Sequence, residues 1–436
     1  MPSYQEVNCF FFIKIIHNLQ GHHYTLLLGY LTDKQHGLVS VRIENPNMAH
    51  TEELRRLLSK IAEEQNYKNP EIIIKDISSD GANYTSTLHT AIIKAKNKED
   101  LHLFAKIGAV GEKMRSEVSV NFFDTEQYAY LTLFKSYAAL EEEHGVAEEH
   151  RLPYVKMYGF DNTLYKETLV LEDLTAQGFG SFNRFQPMDW EYAAAAVTEC
   201  AKLHALSFAI SKQKPEEFEK SQDILNTTWE TLKLEHLMEK TMQNALKVIN
   251  PQHKKAFEKF ASQNISKMVE KFYSPISAKI ITHGDFRGNN LLHRVREDGK
   301  VDIRVVDLQT LQGGSPPADL LYFILTGTDE KFRAKYFDRL VEHYYSQLSA
   351  SMRRLNLNPH EVYSKEVFDQ ELKQKLPYGL ALILLLLPIV TIDPDQAPTV
   401  DHNLDMFSFT EQNTSDLFSE RLNGIINDYV KWGILK

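Results

Sequence analysis

The feature that most constrains this chain is a short polar run between apolar segments, HGDFRGNN at residues 283–290. His283, Asp285 and Asn290 stand there in the order H-x-D-x-x-x-x-N, and Asp307 follows at the end of an apolar run. The residues between Asn290 and Asp307 have the pattern of two short strands joined by a charged, glycine-containing turn. Because such a hairpin returns the chain to its start, we expect Asn290 and Asp307 to lie close together.

These residue types, in this order, are the ones that phosphoryl transfer requires. The reaction depends on positioning and charge compensation rather than on covalent chemistry by the protein. A carboxylate beside the acceptor hydroxyl accepts its proton, and we predict this role for Asp285. Asn290 and Asp307 offer the oxygen ligands that Mg2+ prefers. Each piece alone is better explained by an ordinary strand-end turn or a capping residue, whereas four pieces in this order favour the catalytic interpretation.

Composition limits the classes of partner. The chain has 436 residues, 43% of them hydrophobic and 25% charged, which is typical of a soluble globular protein with two or more domains. A net charge of −10 argues against nucleic acid or an anionic membrane as partner. The longest apolar run, 380–390, is shorter than the roughly 20 residues that cross a bilayer, so it is predicted to be a buried helix. Two cysteines cannot build a disulfide framework, so we expect a cytoplasmic protein. The protein is also expected to be a monomer.

Three regions follow from the pattern along the chain. Residues 1–65 form an N-terminal extension in which only a helix at 51–66 is predicted, with no chemistry assigned. Residues 66–175 contain three consecutive strand patterns, a helix and two further strands. Residues 176–436 are mostly helical by pattern and contain the HGDFRGNN run. The predicted fold class is therefore α+β.

A lysine and a glutamate stand out in the second region. Lys106 lies in an apolar run at the end of the third strand, where a lysine is usually an edge residue that extends to solvent. In the following helix, predicted at 116–137, Glu126 shares a face with Phe123 and Tyr130. We predict a Lys106–Glu126 pair that holds the lysine against the α and β phosphates of a nucleotide.

Two other segments are candidates for nucleotide contacts. The connection before the second strand is rich in small and hydrogen-bonding residues, so its backbone amides are suited to covering phosphates, although it also fits a plain hairpin turn. The strand at 168–171 ends in EDL, whose backbone groups are predicted to bind the adenine edge. The residues predicted to bind the nucleotide are Gly81, Asn83, Tyr84, Ser86, Lys106, Glu172, Asp173 and Leu174.

Further residues receive supporting roles. His204, on the apolar face of an alanine-rich helix, is predicted to be a hydrogen-bonding core residue rather than a catalyst. Asp319, in the first turn of a later helix, is predicted to brace the catalytic loop rather than to touch substrate. The glutamates at 141–143 are predicted to form one solvated face.

Together these motifs resemble the ecdysteroid-kinase-like family, which is related to choline kinases and aminoglycoside phosphotransferases. The matching stretches are GANYTS at 81–86, LFAKI around Lys106, the F-x-x-E-x-x-x-Y spacing at 123–130, LVLEDL at 169–174, LHALSF at 203–208, HGDFRGNN at 283–290, VDLQ at 306–309, DLLYF at 319–323 and LPYGL at 376–380. The resemblance implies a two-lobed protein-kinase-like fold, with a small antiparallel β-rich lobe and a larger, mostly helical lobe. It also implies that ATP and Mg2+ bind between the lobes.

The same resemblance implies a reaction and assigns residues to it. The reaction is ATP-dependent phosphorylation of a small-molecule hydroxyl, with an ecdysteroid or a xenobiotic as the expected acceptor. By position, Asp285 resembles the catalytic base, Asn290 and Asp307 the Mg2+ ligands, and Lys106 with Glu126 the phosphate-positioning pair.

Two positions depart from the family. Leu308 stands where phenylalanine is common, and Arg287 stands where an aromatic residue is usual. Arg287 is close enough to Asp285 in sequence to reach the migrating phosphoryl group, where a guanidinium compensates charge. It equally fits an ion pair with a surface acid or contact with an anionic acceptor, and these interpretations stay open. The candidate catalytic residues are Asp285, Arg287, Lys106 and Glu126.

Other functions fit the sequence less well. A catalytically silent, kinase-like binding protein would be expected to lack one of the required groups, and all of them are present. A choline- or ethanolamine-type kinase is a second alternative. Protein phosphorylation is disfavoured because no activation-segment motif lies between Asp307 and Asp319. The acceptor itself leaves no readable motif in the helical region.

Overall fold

The fold is described from a computed structural model. The described residues are 10–17, 23–32, 35–44, 46–78, 85–109, 111–112, 115, 122–225, 234–397 and 415–436. They divide into two compact units, one of residues 1–73 and 93–100 and the other of residues 74–92 and 101–436. All described candidate site residues belong to the second unit.

The N-terminal region begins with a three-stranded antiparallel sheet that the sequence pattern does not predict. Its strands, in spatial order, are β1 (Phe10–His17), β2 (His23–Thr32) and β3 (Gln35–Glu44). Helix α1 (Pro46–Glu64) follows and confirms the predicted helix, although it begins earlier in the chain. Leu54, Leu58 and Ile61 are buried and recur at helical spacing, so one face of α1 is covered.

A five-stranded sheet follows, in the order β4-β5-β6-β8-β7. Its strands are β4 (Glu71–Ile77), β5 (Ser86–Lys94), β6 (Leu101–Gly108), β7 (Met157–Asp161) and β8 (Thr168–Glu172). Strand β8 is antiparallel to both β6 and β7. The five predicted strands are therefore present, and Lys106, which pairs with Leu169 in the ladder, lies on the central strand.

A helical segment carries Glu126. It consists of α2 (Phe122–Tyr128), a π-helical turn (Ala129–Leu133) and α3 (Phe134–Glu143). Part of the predicted helix, 116–121, lies outside the described residues. Glu126 is 1% exposed, so burial alone disfavours its carboxylate unless a cation accompanies it.

The prediction that Glu141 belongs to a solvated face is wrong, whereas Glu142 and Glu143 are exposed as predicted. Glu141 is buried, and its carboxylate accepts hydrogen bonds from the Leu152 amide at 2.7 Å and the Tyr154 hydroxyl at 2.9 Å. Burial raises the pKa of Glu141. The partners lie beyond the end of the helix, so helical spacing alone does not reveal them.

Most of the remaining described chain is helical, as predicted. The helices are α4 (Trp190–Gln213), α5 (Pro215–Ile224), α6 (Leu234–Val248), α7 (Pro251–Ala261), α8 (Ile265–Tyr273), α9 (Pro316–Gly327), α10 (Glu330–Arg354), α11 (Pro359–Val362), α12 (Lys365–Val390) and α13 (Asp416–Lys431). An antiparallel β-rich region thus precedes a larger helical region, which is the predicted α+β class.

Two small sheets position the HGDFRGNN run. Strand β9 (Ile280–Thr282) pairs antiparallel with β12 (Gln312–Gly314), and β10 (Leu291–Val295) pairs antiparallel with β11 (Val301–Val305). Leu291 lies opposite Val305 in the second ladder. The predicted hairpin therefore starts just after Asn290 and ends just before Asp307.

Helices α4 and α12 are long and apolar enough to cross a membrane by length and composition. Their most apolar windows are, however, 72% and 56% buried inside the protein. Such burial is typical of core helices in a globular protein. The apolar run at 380–390 lies in α12, so its prediction as a helix is confirmed.

Candidate active site

Lys106 and Glu126 form the predicted pair. The Lys106 Nζ donates to Glu126 Oε2 at 2.9 Å, and the two side chains are 7% and 2% exposed. Burial opposes the charged ammonium, but the carboxylates of Asp307 and Glu126 outweigh it and raise the pKa of Lys106. Burial also raises the pKa of Glu126, and the neighbouring ammonium works against that rise. The lysine is therefore held as a buried cation by two acids.

Asp307 is the second acid at this lysine. Its Oδ1 accepts from Lys106 Nζ at 2.5 Å, although the residues are far apart in sequence. Asp307 has φ 63° and ψ 61°, a left-handed conformation that is uncommon for residues other than glycine. Burial opposes ionisation of Asp307, but Lys106 outweighs it, so the pKa of Asp307 is lowered. An ionised carboxylate held in a strained conformation is typical of a functional site.

Gln309 is a site residue to which the sequence analysis gave no role. Its Oε1 accepts from Lys106 Nζ at 3.3 Å and from Thr85 Oγ1 at 3.1 Å, and its Nε2 donates to Asp307 Oδ2 at 3.4 Å. It therefore links the start of β5 to the lysine and the acid. The VDLQ stretch was the available signal, since Gln309 follows Asp307 by two residues.

Asp285 is fixed by donors on both carboxylate oxygens. Tyr322 donates its hydroxyl to Oδ1 at 2.5 Å, and Asn290 Nδ2 donates to Oδ2 at 2.8 Å. Arg287 Nε lies 3.0 Å from Oδ1 and 3.1 Å from Oδ2. Because all these partners donate, the geometry suits an ionised carboxylate. Tyr322 was missed as a site residue; it belongs to the DLLYF stretch on α9, and burial followed by the Asp285 charge raises its pKa.

Asn290 and Asp307 are brought together as predicted. The Val306 amide donates to the Asn290 carbonyl oxygen at 2.9 Å, which places Asn290 one residue from Asp307 in the ladder. The side-chain nitrogen of Asn290 donates to Asp285 O and Oδ2, so its amide oxygen is left to accept. A carboxylate and an amide oxygen form a hard donor set that fits Mg2+.

Asp319 braces the loop, and this prediction is confirmed. Its carboxylate accepts from the backbone amides of His283 at 2.6 Å and Gly284 at 3.0 Å. His204 Nε2 lies 3.0 Å from the same carboxylate, and His204 Nδ1 lies 2.6 Å from the Tyr344 hydroxyl. His204 is fully buried, which confirms its predicted role in the core. Gly284 has φ 80°, so the loop requires a residue that tolerates the left-handed region.

Comparison with known proteins identifies the family. The sequence model of the ecdysteroid kinase-like family matches residues 80–357, which is more than half of the chain. The chain belongs to this family. A comparison with curated proteins found no match.

Two solved structures of aminoglycoside phosphotransferases are distantly similar to this chain. The GDP and kanamycin complex of the aminoglycoside phosphotransferase APH(2")-IIIa is 8% identical with a TM-score of 0.40, covering 86% of this chain and 98% of that chain. The phosphotransferase APH(3'')-Id from Streptomyces rimosus, with ADP and streptomycin, is 10% identical with a TM-score of 0.28, covering 61% and 87%. These similarities are too low to carry an argument about function.

In this ecdysteroid kinase-like protein, part of the predicted nucleotide site is described. Gly81, Asn83 and Tyr84 lie outside the described residues, so their roles stay predictions. Ser86 is buried at the start of β5, and its hydroxyl lies 3.3 Å from the Thr85 hydroxyl. The Thr85 hydroxyl in turn donates to Gln309 Oε1 at 3.1 Å.

The chain after β8 leaves one backbone amide for the predicted adenine contact. The Glu172 amide donates to the Lys156 carbonyl at 2.9 Å, and the Asp173 amide donates to the His102 carbonyl at 3.1 Å. Within the described part of the chain, the Leu174 amide has no such acceptor. Adenine recognition through these three residues stays a prediction, and Leu174 is the amide best placed to take part.

The two residues that depart from the family pattern, Leu308 and Arg287, lie in different surroundings. Leu308 is fully buried, and its amide donates to Glu126 Oε1 at 3.3 Å, so the apolar character of this position is kept. Arg287 is 12% exposed and contacts Asp285. Burial opposes its charge, but Asp285 outweighs burial and raises the pKa of Arg287. Arg287 is therefore a charged neighbour of the candidate base and not a surface residue.

Proposed function

We propose that this member of the ecdysteroid kinase-like family is an ATP- and Mg2+-dependent kinase that phosphorylates a hydroxyl group of a small molecule. The observation that carries the proposal is the contact of Lys106 with both Glu126 and Asp307. This cluster gathers the phosphate-binding cation and the metal-binding acid at one point. The family match supports a phosphotransferase in general terms.

Each described residue has a defined task in the proposed reaction. Asp285 orients the acceptor hydroxyl and takes its proton, while Arg287 and Tyr322 hold the carboxylate in place. Lys106 binds phosphate oxygens of the nucleotide and is positioned by Glu126. Asp307 and Asn290 would hold Mg2+, which supplies charge neutralisation between the phosphates when bound.

Two alternatives are weaker. A silent binding protein is disfavoured because the required acids, amide and lysine are all present and in contact. A choline-type kinase needs a site for a quaternary ammonium, usually aromatic or acidic. Three arginines line the cavity beside Arg287, together with one aromatic residue, Phe182, and its described lining residues include no aspartate or glutamate. We therefore propose an acceptor such as an ecdysteroid or a hydroxylated xenobiotic rather than choline.

An acceptor screen tests the proposal. Purified protein is incubated with MgATP and with ecdysteroids, choline, ethanolamine, and glycosylated or phenolic xenobiotics, and products are detected by mass. Asp285→Asn serves as the inactive variant. Asp298→Asn is the matched control, because Asp298 is exposed in the β10–β11 turn. Product from wild type and the control but not from Asp285→Asn supports the kinase. MgATP binding without product from any acceptor would favour a silent binding protein.

A further inference from the structure

A cavity borders the catalytic loop on the side of Arg287. It holds about 400 Å³, including the space that is open to solvent. Three arginines line it: Arg184 from the segment before α4, Arg287 from the catalytic loop, and Arg421 from α13. No aspartate or glutamate is among the lining residues in the described chain. The cavity is therefore strongly cationic and adjoins the candidate base through Arg287.

Arg421 is the residue in this cavity whose charge is least compensated. It is 5% exposed and forms no hydrogen bond or ion pair with any residue in the described ranges. Burial lowers the pKa of Arg421, and the nearby Asp329 opposes that effect only in part. A buried charge without a partner is costly. An anion in the cavity would remove this cost.

Arg333, a neighbouring buried arginine, has the acidic partner that Arg421 lacks. Arg333 is 3% exposed, and its Nε bonds to Asp428 Oδ2 at 2.6 Å. Its Nη1 also donates to the Thr328 carbonyl oxygen. Arg333 therefore has an internal acid and a backbone acceptor, whereas Arg421 faces the cavity without either. The contrast indicates that the acid for Arg421 comes from a ligand.

Arg184 is held at the same cavity by the end of α12. Its Nη2 donates to the Ile392 carbonyl oxygen at 2.8 Å, and its Nη1 lies 3.5 Å from the Ile389 carbonyl oxygen. Both acceptors are neutral backbone carbonyl oxygens. Arg287 differs, since Asp285 lies at 3.0 Å and compensates its charge. Among the three arginines, Arg421 is therefore the one on which an anion site would depend.

We propose that this cavity binds the acceptor, and that the acceptor carries an anionic group which contacts Arg421 as well as the hydroxyl that is phosphorylated. The anionic group is a carboxylate, sulfate or phosphate, all of which match the planar fork of a guanidinium. This inference rests on the proposed kinase function. It narrows the acceptor class to hydroxylated organic anions, so that a neutral, unconjugated ecdysteroid is no longer included.

The transfer balances with this acceptor. The acceptor oxygen forms a bond to the γ phosphorus of ATP, and the bond from that phosphorus to the β,γ-bridging oxygen breaks. ADP leaves with the electron pair, and the hydroxyl proton passes to Asp285. Arg421 touches only the anionic group of the acceptor, so it determines specificity rather than chemistry.

Titration with inorganic sulfate tests the anion site without any need for turnover. Wild type, Arg421→Gln and Arg421→Lys are compared by calorimetry and by thermal unfolding, and Arg353→Gln is the control because Arg353 is exposed at the end of α10. We expect Arg421→Gln to weaken sulfate binding by at least about tenfold, which is the scale of a lost charge-assisted hydrogen bond. Arg421→Lys should lose less, and Arg353→Gln should match wild type. Unchanged sulfate affinity in Arg421→Gln, together with a lower unfolding temperature without sulfate, would show a structural arginine and overturn the proposal.

Paired acceptors test the specificity. Each hydroxylated carboxylate, sulfate or phosphate is assayed beside its neutral ester or its unconjugated alcohol, with MgATP as donor. We expect the anionic member to have the lower acceptor KM, and we expect this preference to vanish in Arg421→Gln while the KM for ATP is kept. Equal use of both members, unchanged in the variant, overturns the inference and leaves the kinase function intact.

Two further outcomes separate the inference from the function on which it rests. An anion that binds through Arg421 and speeds transfer to a neutral acceptor, without being phosphorylated, is a regulator and overturns the acceptor assignment. Transfer to no acceptor at all, with MgATP still bound, contradicts the kinase function itself. The sulfate titration then decides alone whether the cavity is an anion site.

Discussion

The Lys106–Glu126 pair offers the sharpest test of the site, because it can be perturbed from both sides. Lys106→Met removes the cation and keeps most of the side-chain length. Glu126→Gln removes one charge and keeps the volume. In wild type the Lys106 ammonium contacts Glu126 at 2.9 Å and Asp307 at 2.5 Å, so the two variants leave different groups without a partner.

The structure sets the size of each effect. Lys106→Met leaves the buried Glu126 and the partly buried Asp307 without their cation, and breaking a buried pair in this way costs about 3–5 kcal/mol of unfolding free energy. Glu126→Gln costs less, because Lys106 keeps Asp307 as a partner. In the double variant the glutamate charge is already gone when the lysine is removed. We therefore expect the two losses to fall short of additivity by about 1–3 kcal/mol.

Denaturant titration of wild type, both single variants and the double variant measures this coupling. The matched control is Lys365→Met with Asp369→Asn, a pair at 2.6 Å whose side chains are 30% and 50% exposed. Exposed pairs of this spacing couple by about 0.3–0.5 kcal/mol. Kinetics on the same proteins should show a raised KM for ATP and a lowered turnover for Lys106→Met. Glu126→Gln should show the same changes less severely.

The reasoning fails if the losses at Lys106 and Glu126 add to within about 0.5 kcal/mol, as independent sites do. It also fails if the exposed control pair couples as strongly as the buried pair. A large stability coupling with unchanged ATP kinetics would leave the pair as a structural feature and remove it from the catalytic site.

The remaining predictions concern Asp285, Asp307, Asn290, Arg287 and Asp319. Asp285→Asn should lower turnover by about 100- to 10,000-fold with nucleotide affinity nearly unchanged, and substantial turnover in a product assay would reject its role as base. Asp307→Ala should weaken Mg2+-dependent ATP binding more than Asn290→Ala, since it removes a charge; equal wild-type and Asp307→Ala affinities in calorimetry with metal present would contradict this. Arg287→Ala should lower turnover if it acts on the phosphoryl group, or raise the acceptor KM if it binds the acceptor, and wild-type values throughout would exclude both. For Asp319, burial opposes ionisation, but hydrogen bonds from a histidine and the loop amides outweigh it and lower the pKa. The stability that the ionised carboxylate contributes is therefore complete above about pH 4, its pKa in the unfolded chain, and is lost as the pH falls through the pKa in the folded protein. Asp319→Asn should therefore reduce stability near neutral pH by about 1–3 kcal/mol and show a smaller loss on acidification, and an unchanged acid dependence of unfolding would argue against the brace.

The sequence predicts best where a feature is local. The β10–β11 hairpin follows from alternation and turn chemistry within one short stretch, so the proximity of Asn290 and Asp307 could be predicted. Helix periodicity placed Glu126 on a buried face in the same way. The strands β1–β3 were missed because short apolar runs without clear turn residues do not distinguish strand from loop.

Contacts across the chain were harder to predict. Gln309 and Tyr322 both stand in motifs that were recognised, but only the folded structure shows that one joins Lys106 to Thr85 and the other holds Asp285. Arg421 carried no signal at all, because its meaning depends on burial and on the lack of a hydrogen bond or ion pair to any described residue. Composition and spacing report neither property.

The Lys106–Asp307 ion pair would have to break for a nucleotide and its metal to bind as proposed. Asp307 contacts Lys106 directly at 2.5 Å, yet the proposed function requires the lysine for phosphate and the acid for Mg2+. In the proposed function, the two groups would neutralise each other until the nucleotide and its metal arrive together, and each would then exchange one ionic partner for another. ATP without metal would gain the lysine but leave Asp307 as a partly buried anion beside phosphate, which is unfavourable at this distance. On the proposed function, the Lys106–Asp307 contact would therefore favour binding of the metal–nucleotide complex over free nucleotide.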